Sequence, residues 1–227
     1  MDDDQELSGI RVLRLFPLAG VVFFPHSVLP LHIFEPRYRQ MTEDALEGDR
    51  LVTIVMVRPA AEWQGKGPPK LEEYGCVGRI LQHERLPDGR FNFLLLGLKR
   101  VQLLREVPSG KLYRTAEAEV VEEPEGQSES EGPLIRELLE GFRSYHEPRG
   151  GVDPDLEDLI SSDLPVGVLA DILAHALALP PAIKQRLLAE RDARPRATML
   201  RACLRDMLRE PGGAAEGRDF PPPFSAN

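Results

Sequence analysis

The sequence predicts an α+β fold in which a strand-rich first half is followed by an all-helical second half. Three observations carry the prediction. Up to about residue 122 the apolar residues come in short runs, dense in β-branched and aromatic side chains and punctuated by Gly, Pro and Asp-Gly. From Pro133 onward they recur at spacings of three and four. Between the two halves, residues 117 to 132 are rich in Glu and poor in apolar side chains, so the middle of this stretch cannot bury enough surface to offset its chain entropy. The chain is therefore divided into a flexible start (1–9), a strand domain (10–122), an acidic linker (123–132), a helical bundle (133–210) and a disordered tail (211–227).

Taken in order, Ile10 to Leu15 is the first strand. Val21 to Phe24 reads as a buried strand, Pro25 breaks it, and Val28 to Phe34 is the next. Glu35-Pro36-Arg37-Tyr38 then opens a helix over Arg37 to Leu46. Pro36 has no N–H to lose in a first turn, and Glu35 stands where the helix dipole favours an anion. Gly48 is its stop. Leu51 to Val57, LVTIVMV, is too short and too β-branched for a helix and reads as a central strand.

A Pro- and Gly-rich loop from Arg58 to Glu73 carries the single tryptophan, Trp63, which is either an anchor folded onto the core or a contact for a partner. Tyr74 to Leu86 and Arg90 to Leu96 flank Pro87-Asp88-Gly89, a strong hairpin signal. Lys99 to Glu106 and Tyr113 to Glu122 add strands around the turn at Pro108-Ser109-Gly110. Gly75, Gly78 and Gly97 inside strands predict bulges or bends of the kind a small barrel needs.

In the second half Leu134, Leu138, Leu139, Phe142 and Tyr145 share a helix face, and Asp153 starts a short helix over Pro154 to Ile160. Val166 to Leu179, Ala182 to Arg191 and about Arg196 to Arg209 complete a small bundle, with Pro180-Pro181 stopping one helix and starting the next. The tail is Gly, Pro and small residues. Phe220 and Phe224 around three prolines resemble a stiff docking peptide, although an unselected tail is the simpler reading.

The net charge of -9 argues against a protein that coats nucleic acid. The acidic start, MDDDQELSG, is unlike a signal peptide, and no apolar run approaches a membrane span, so a cytoplasmic chain is expected. Cys76 and Cys203 read as reduced, structural residues.

FPLAGVVFFP followed by LPLHIFEPRYRQM resembles the opening signature of the Lon amino-terminal domain, the substrate-binding domain. That domain is found at the front of Lon proteases, in cereblon and in short free-standing bacterial proteins. VGRI with LPDGRFNFLLLGLKRVQL, and more weakly PPAIKQRLLAERDARPRATML, resemble the same family. One position departs: His26 stands where the family usually carries glycine after the Phe-Pro pair. The resemblance implies a PUA-like six-stranded β pseudo-barrel with one short helix over roughly residues 10 to 122, followed by the bundle. It also implies a free-standing module without ATPase or peptidase parts.

No phosphate-binding loop surrounds Gly65-Lys66 and no GxSxG elbow surrounds any serine, so the chain is expected to be no enzyme and to use no cofactor. His32 with Glu35, and His83 with Glu84, lack the paired spacing of a metal site, and none is expected. Glu35 and Arg37 read as a structural tie at the helix start, a motif completed by Pro36 and Tyr38. The basic residues of the last two helices, Arg196 among them, read as solvated helix faces. Three functions remain.

The first is ATP-independent recognition of unfolded or apolar protein segments in quality control, by edge-strand pairing or an apolar surface, with Phe23, Phe24 and Trp63 as candidate contacts. The second is an adaptor or competitor for a separate Lon-type protease. The third, nucleic-acid (RNA) binding, is the alternative to the first and rests on the PUA-like fold, a fold-level analogy; a hydrolase of unknown type ranks last, as a fourth.

Overall fold

The computed structural model describes residues 7–62, 67–123 and 131–209. They divide into two compact units, the first ending at Glu122 and the second beginning at Glu123. In the first unit the strands are β1 (Ile10–Ala19), β2 (Val28–Ile33), β3 (Leu51–Val57), β4 (Leu71–Arg85), β5 (Phe91–Glu106) and β6 (Thr115–Val120), with helix α1 (Pro36–Glu47) after β2. Their order in the sheet is β2-β5-β4-β3-β1-β6, and β5 also pairs with β6. That extra pairing closes β5, β4, β3, β1 and β6 into a ring. β2 lies outside it, on the first half of β5. The mixed α+β barrel with one helix is the fold that the family resemblance implies. Its interior is apolar, with Leu13, Leu51, Val77, Val101, Ala118 and Val120 in one buried cluster.

Three strand predictions are corrected. The first strand does not stop at Leu15 but runs through Pro17 to Ala19. The register explains how a proline is tolerated there. Leu15 is the last β1 residue to donate to the β6 side, through its N–H to the Arg114 carbonyl at 2.9 Å, so the missing N–H of Pro17 points where the ladder has already ended. Val21 to Phe24, in turn, is no strand. Gly20, at φ +70°, turns the chain out of β1, and the segment crosses the barrel as irregular backbone with Val22, Phe23 and Phe24 buried. A continuous apolar run marks burial and leaves conformation undecided.

The segment is seated on Gly97. A Cβ there would lie 2.1 Å from the Phe24 carbonyl oxygen, so only glycine lets the two backbones approach. Gly97 sits inside a strand at a register shift, opposite Gly78, as a strand glycine predicts, while the separate strands expected at Arg90 to Leu96 and Lys99 to Glu106 are one, β5. Beside it, the His26 N–H donates to the Gly97 carbonyl and the Gly97 N–H donates to the Ser27 carbonyl, each at 2.9 Å. His26 and Ser27 thus oppose one residue, a bulge whose first position is left-handed and normally glycine. His26 has φ +62°. The departure from the family pattern is therefore a strained residue kept in a glycine position. Replacing His26 by glycine and by alanine removes the side chain in both cases, so their difference isolates the backbone. The glycine variant is expected to be more stable by about 1 kcal/mol in urea unfolding.

Helix α1 starts at Pro36, with Arg37 bonded to Glu35 at 2.7 Å and its guanidinium 4.4 Å from the Tyr38 ring centroid. Tyr38 is buried against Phe16, ring centroids 4.3 Å apart, and burial raises its hydroxyl pKa. The far end of the helix holds the β5–β6 loop. Tyr113 donates to Asp44 at 2.7 Å, Lys111 pairs with the same carboxylate at 2.9 Å, and the Leu112 N–H donates to Gln40 at 2.8 Å. Burial pushes the Tyr113 hydroxyl up to about 12, reinforced by Asp44. For Asp44 burial acts upward, but the bonds from Tyr113 and Lys111 outweigh it and hold the carboxyl below its usual range.

The second unit is helical: α2 (Gly132–His146), α3 (Pro154–Ile160), α4 (Val166–Ala176), α5 (Pro181–Ala189) and α6 (Ala193–Arg209). α6 packs against α2, α4 and α5. The predicted apolar faces are inside, with Leu138, Phe142, Leu169, Leu173, Leu187, Leu200 and Leu204 all buried. Asp153 caps α3, accepting from the N–H groups of Asp155 and Leu156. α2 is tied to α3 by Arg143, which bonds Glu157 and Ser161.

One prediction fails here. Arg196 does not lie on a solvated face: its side chain is 0% exposed, with Nε 3.0 Å from an Asp171 carboxylate oxygen that is itself buried. Nη2 bonds Glu123 at 2.6 Å, and Nη1 donates to the Glu190 carbonyl at 2.9 Å. Helical spacing cannot distinguish an arginine facing water from one facing a buried carboxylate.

Candidate protein-binding face

The candidate contacts read from the sequence do not form a surface. Phe23 and Phe24 are 1% and 0% exposed, which corrects their assignment as contacts, since aromatic rings at the end of an apolar run are drawn into the core. Trp63 lies outside the described residues.

A different surface is open. In β2 and β5 the side chains of Leu31, Ile33, Phe91, Phe93 and Leu95 point inward and are buried. Alternation sends their neighbours to the other face. There the register sets Val28 opposite Leu96, Pro30 opposite Leu94 and His32 opposite Asn92. Val28, Leu94 and Leu96 are half-buried and Pro30 is buried. Phe34, 39% exposed, continues the row past His32, and Leu81, 45% exposed, is the extra residue of a bulge beside Leu94. The result is an apolar strip.

Its lower end is polar and ordered. The Glu84 carboxylate can only accept, so it takes the Asn92 amide N–H at 3.5 Å and turns the Asn92 oxygen toward His32. His32 Nδ1 donates to that oxygen at 2.7 Å, leaving Nε2 to accept from Arg90 at 3.2 Å. Arg90 in turn is held by Asp88 at 2.6 Å. The ring of His32 stacks with Phe34 at 6.2 Å between centroids. A rigid polar rim beside apolar side chains suits an apolar chain that also carries main-chain polar groups.

The edge of β2 is less suitable. Among the described residues β2 pairs only with β5. Because Ser27 and Gly97 form a bonded pair, the main-chain groups of Val28, Pro30 and His32 face the open edge. Pro30 offers no N–H there, and a proline in mid-edge blunts strand addition. The face therefore offers more contact area than the edge of β2. The signal for this face was present in the sequence as FLLL, a run whose loss of alternation means apolar residues on both sides of the strand.

Among the described residues no cluster of three or more His, Cys, Asp or Glu could hold a metal ion, and no helix is long and apolar enough to cross a membrane. In the last helix, Arg201 and Arg205 are bonded to Glu137 at 3.3 and 2.6 Å, two cations sharing one carboxylate.

A closed barrel with an apolar strip on its outer strands, and a separate helical unit, define an α+β protein of two units. The model of the ATP-dependent protease La (LON) substrate-binding domain matches residues 12–206. The chain belongs to the Lon substrate-binding domain family. It is 30% identical to the Lon protease of Azospirillum brasilense over 76% of this chain and 21% of that protein. The Lon protease of Escherichia coli K12 is also 30% identical, over 85% of this chain and 24% of that protein.

The chain thus spans less than a quarter of the length of these curated relatives. Two solved structures share its fold. The Lon N-terminal domain protein of Xanthomonas campestris superposes with a TM-score of 0.62 at 21% identity, covering 85% of this chain and 98% of that one. The N-terminal domain of the Mycobacterium avium complex Lon protease gives 0.67 at 19% identity, covering 86% and 99%.

Proposed function

We propose that this chain is a non-catalytic module that binds unfolded, apolar segments of other proteins through the outer face of β2 and β5. The observation that carries this reading is the strip of Val28, Leu94, Leu96 and Phe34 left open on a sheet whose other face is core. An extended segment laid along it buries apolar side chains, while its carbonyl groups find donors in the remaining N–H groups of Asn92 and Arg90. The family membership supports the same reading. Recognition of nucleic acid is not favoured by a chain of net charge -9.

The test uses a reduced, carboxymethylated protein as a permanently unfolded ligand. Leu94→Glu places a charge in the middle of the strip, on a side chain already partly in water. Binding followed by fluorescence anisotropy is expected to weaken at least about tenfold, the equivalent of losing one buried leucine. Undiminished binding by a folded L94E variant would place the contact elsewhere and end this assignment.

A further inference from the structure

We propose that the first half of β1 is a strand-addition site, whose ligand is an extended segment of another protein in which two β-branched residues flank an acidic one. The site is separate from the strip on β2 and β5. Phe220 and Phe224, the tail aromatics, lie outside the described residues and are assigned no role in it.

β1 is shared between two neighbours. It pairs with β6 from Ile10 to Arg14 and with β3 from Leu15 to Ala19. Among the described residues the first half therefore has a strand on one side only. β3 does not continue alongside it, because the chain turns away at Arg50, which has φ +60° and gives its N–H to the Ala45 carbonyl at 2.8 Å. Arg14, bonded to Asp49 at 2.6 Å, closes the gap above Val12. Below that closure Ile10 and Val12 are 65% and 60% exposed.

The register decides which main-chain groups are open. The Gly9 carbonyl accepts from the Val120 N–H, and the Leu15 N–H donates to the Arg114 carbonyl, each at 2.9 Å. Main-chain groups alternate in direction along a strand, so those of Arg11 and Leu13 also face β6, while the N–H and C=O of Ile10 and Val12 face the gap. No proline blunts this edge, in contrast to β2. An added antiparallel strand exchanges hydrogen bonds with all of these groups. Leu13 faces the apolar interior, so Ile10 and Val12 lie on the outer face. Branched apolar residues of the added strand pack beside them there.

Arg11 selects the occupant. It falls between the two bonded pairs, where opposing Cα atoms are only about 4.5 Å apart. Its side chain is half-buried, with Nε held by the Ser8 carbonyl at 3.4 Å, so the charge stays at the edge. If a second copy added its own β1 in the register that uses every open group, Arg11 would face Arg11, and like charges directly opposite each other are destabilising. A carboxylate in that position reverses the sign.

The test titrates the isotopically labelled full chain with a synthetic peptide carrying Val-Glu-Val between Ser and Thr residues. With peptide at about ten times its Kd, amide exchange at Ile10 and Val12 is expected to slow by about tenfold, while Arg11 and Leu13, already bonded to β6, keep their rates. Arg11→Glu should take Val-Lys-Val about fivefold more tightly than Val-Glu-Val. Arg11→Gln, which adds no charge, should bind both peptides equally. Leu94→Glu, which disables the strip, should leave this binding unchanged, so failure of either site is distinguishable from failure of the other. Uniform protection across residues 10 to 13, or none, overturns the strand addition. The same preference for Val-Glu-Val in all three chains overturns the role of Arg11. Protection that grows with protein concentration in the absence of peptide assigns the edge to a second copy and overturns the choice of occupant.

Discussion

Replacing Arg196 by methionine is expected to lower the unfolding free energy by about 3–5 kcal/mol, the cost of leaving a buried carboxylate without its counter-ion. Asp171 is 1% exposed, and Arg196, at 0%, stands 3.0 Å from it. Glu123, the other acidic partner, is 35% exposed and can return to water when the guanidinium is gone. The penalty therefore belongs to Asp171. That division makes a second variant decisive: Arg196→Met with Asp171→Leu removes both buried charges and should recover most of the loss, because an apolar pair of similar volume needs no desolvation. Denaturant unfolding of both variants measures it. Equal losses in the single and double variants would mean that the arginine acts through the Glu190 carbonyl and Glu123, and not by neutralising Asp171.

Gly97→Ala is expected to cost about 3 kcal/mol or more, because the new methyl would meet the Phe24 carbonyl oxygen at 2.1 Å and the Pro25 Cα at 3.1 Å. Both obstacles are backbone, which cannot rotate aside as a side chain can. Relief comes only by lifting residues 24 to 27 from β5, which breaks the bonds that His26 and Ser27 make with Gly97. Val28 and Pro30 follow directly, so the variant should also weaken binding at the candidate face. Gly141 supplies the contrast. A Cβ there meets a Leu204 methyl at 3.5 Å, an ordinary contact, and alanine in the helix should stabilise by up to about 1 kcal/mol. Urea unfolding separates the two, with amide exchange at His26 as a local readout. A Gly97→Ala variant as stable as the parent would show that the crossing segment is not seated on β5 in this way.

The candidate face was only partly legible. FLLL announced apolar residues on both sides of a strand, but choosing which side was core needed the partner strands, since alternation alone is symmetric. Phe23 and Phe24 misled for a related reason: paired aromatics suit a binding surface and a core equally, and only enclosure by β5 and the barrel distinguishes them. His26 was different. The missing glycine was visible in the sequence, whereas its consequence, a left-handed residue opposite Gly97, required the bulge.

Local chemistry by itself determined the α+β succession, the helix opened by Pro36, the Asp153 cap and the apolar faces of the bundle, because each depends on residues within a few positions of one another. Tertiary structure alone decided the closure of β5 on β6, the single strand through Gly97, the irregular path of Val21 to Phe24 and the burial of Arg196 against Asp171. These depend on groups brought together from distant parts of the chain. A glycine, an arginine or an apolar run has the same local pattern whether water or another backbone lies opposite, and only the fold supplies the opposite side.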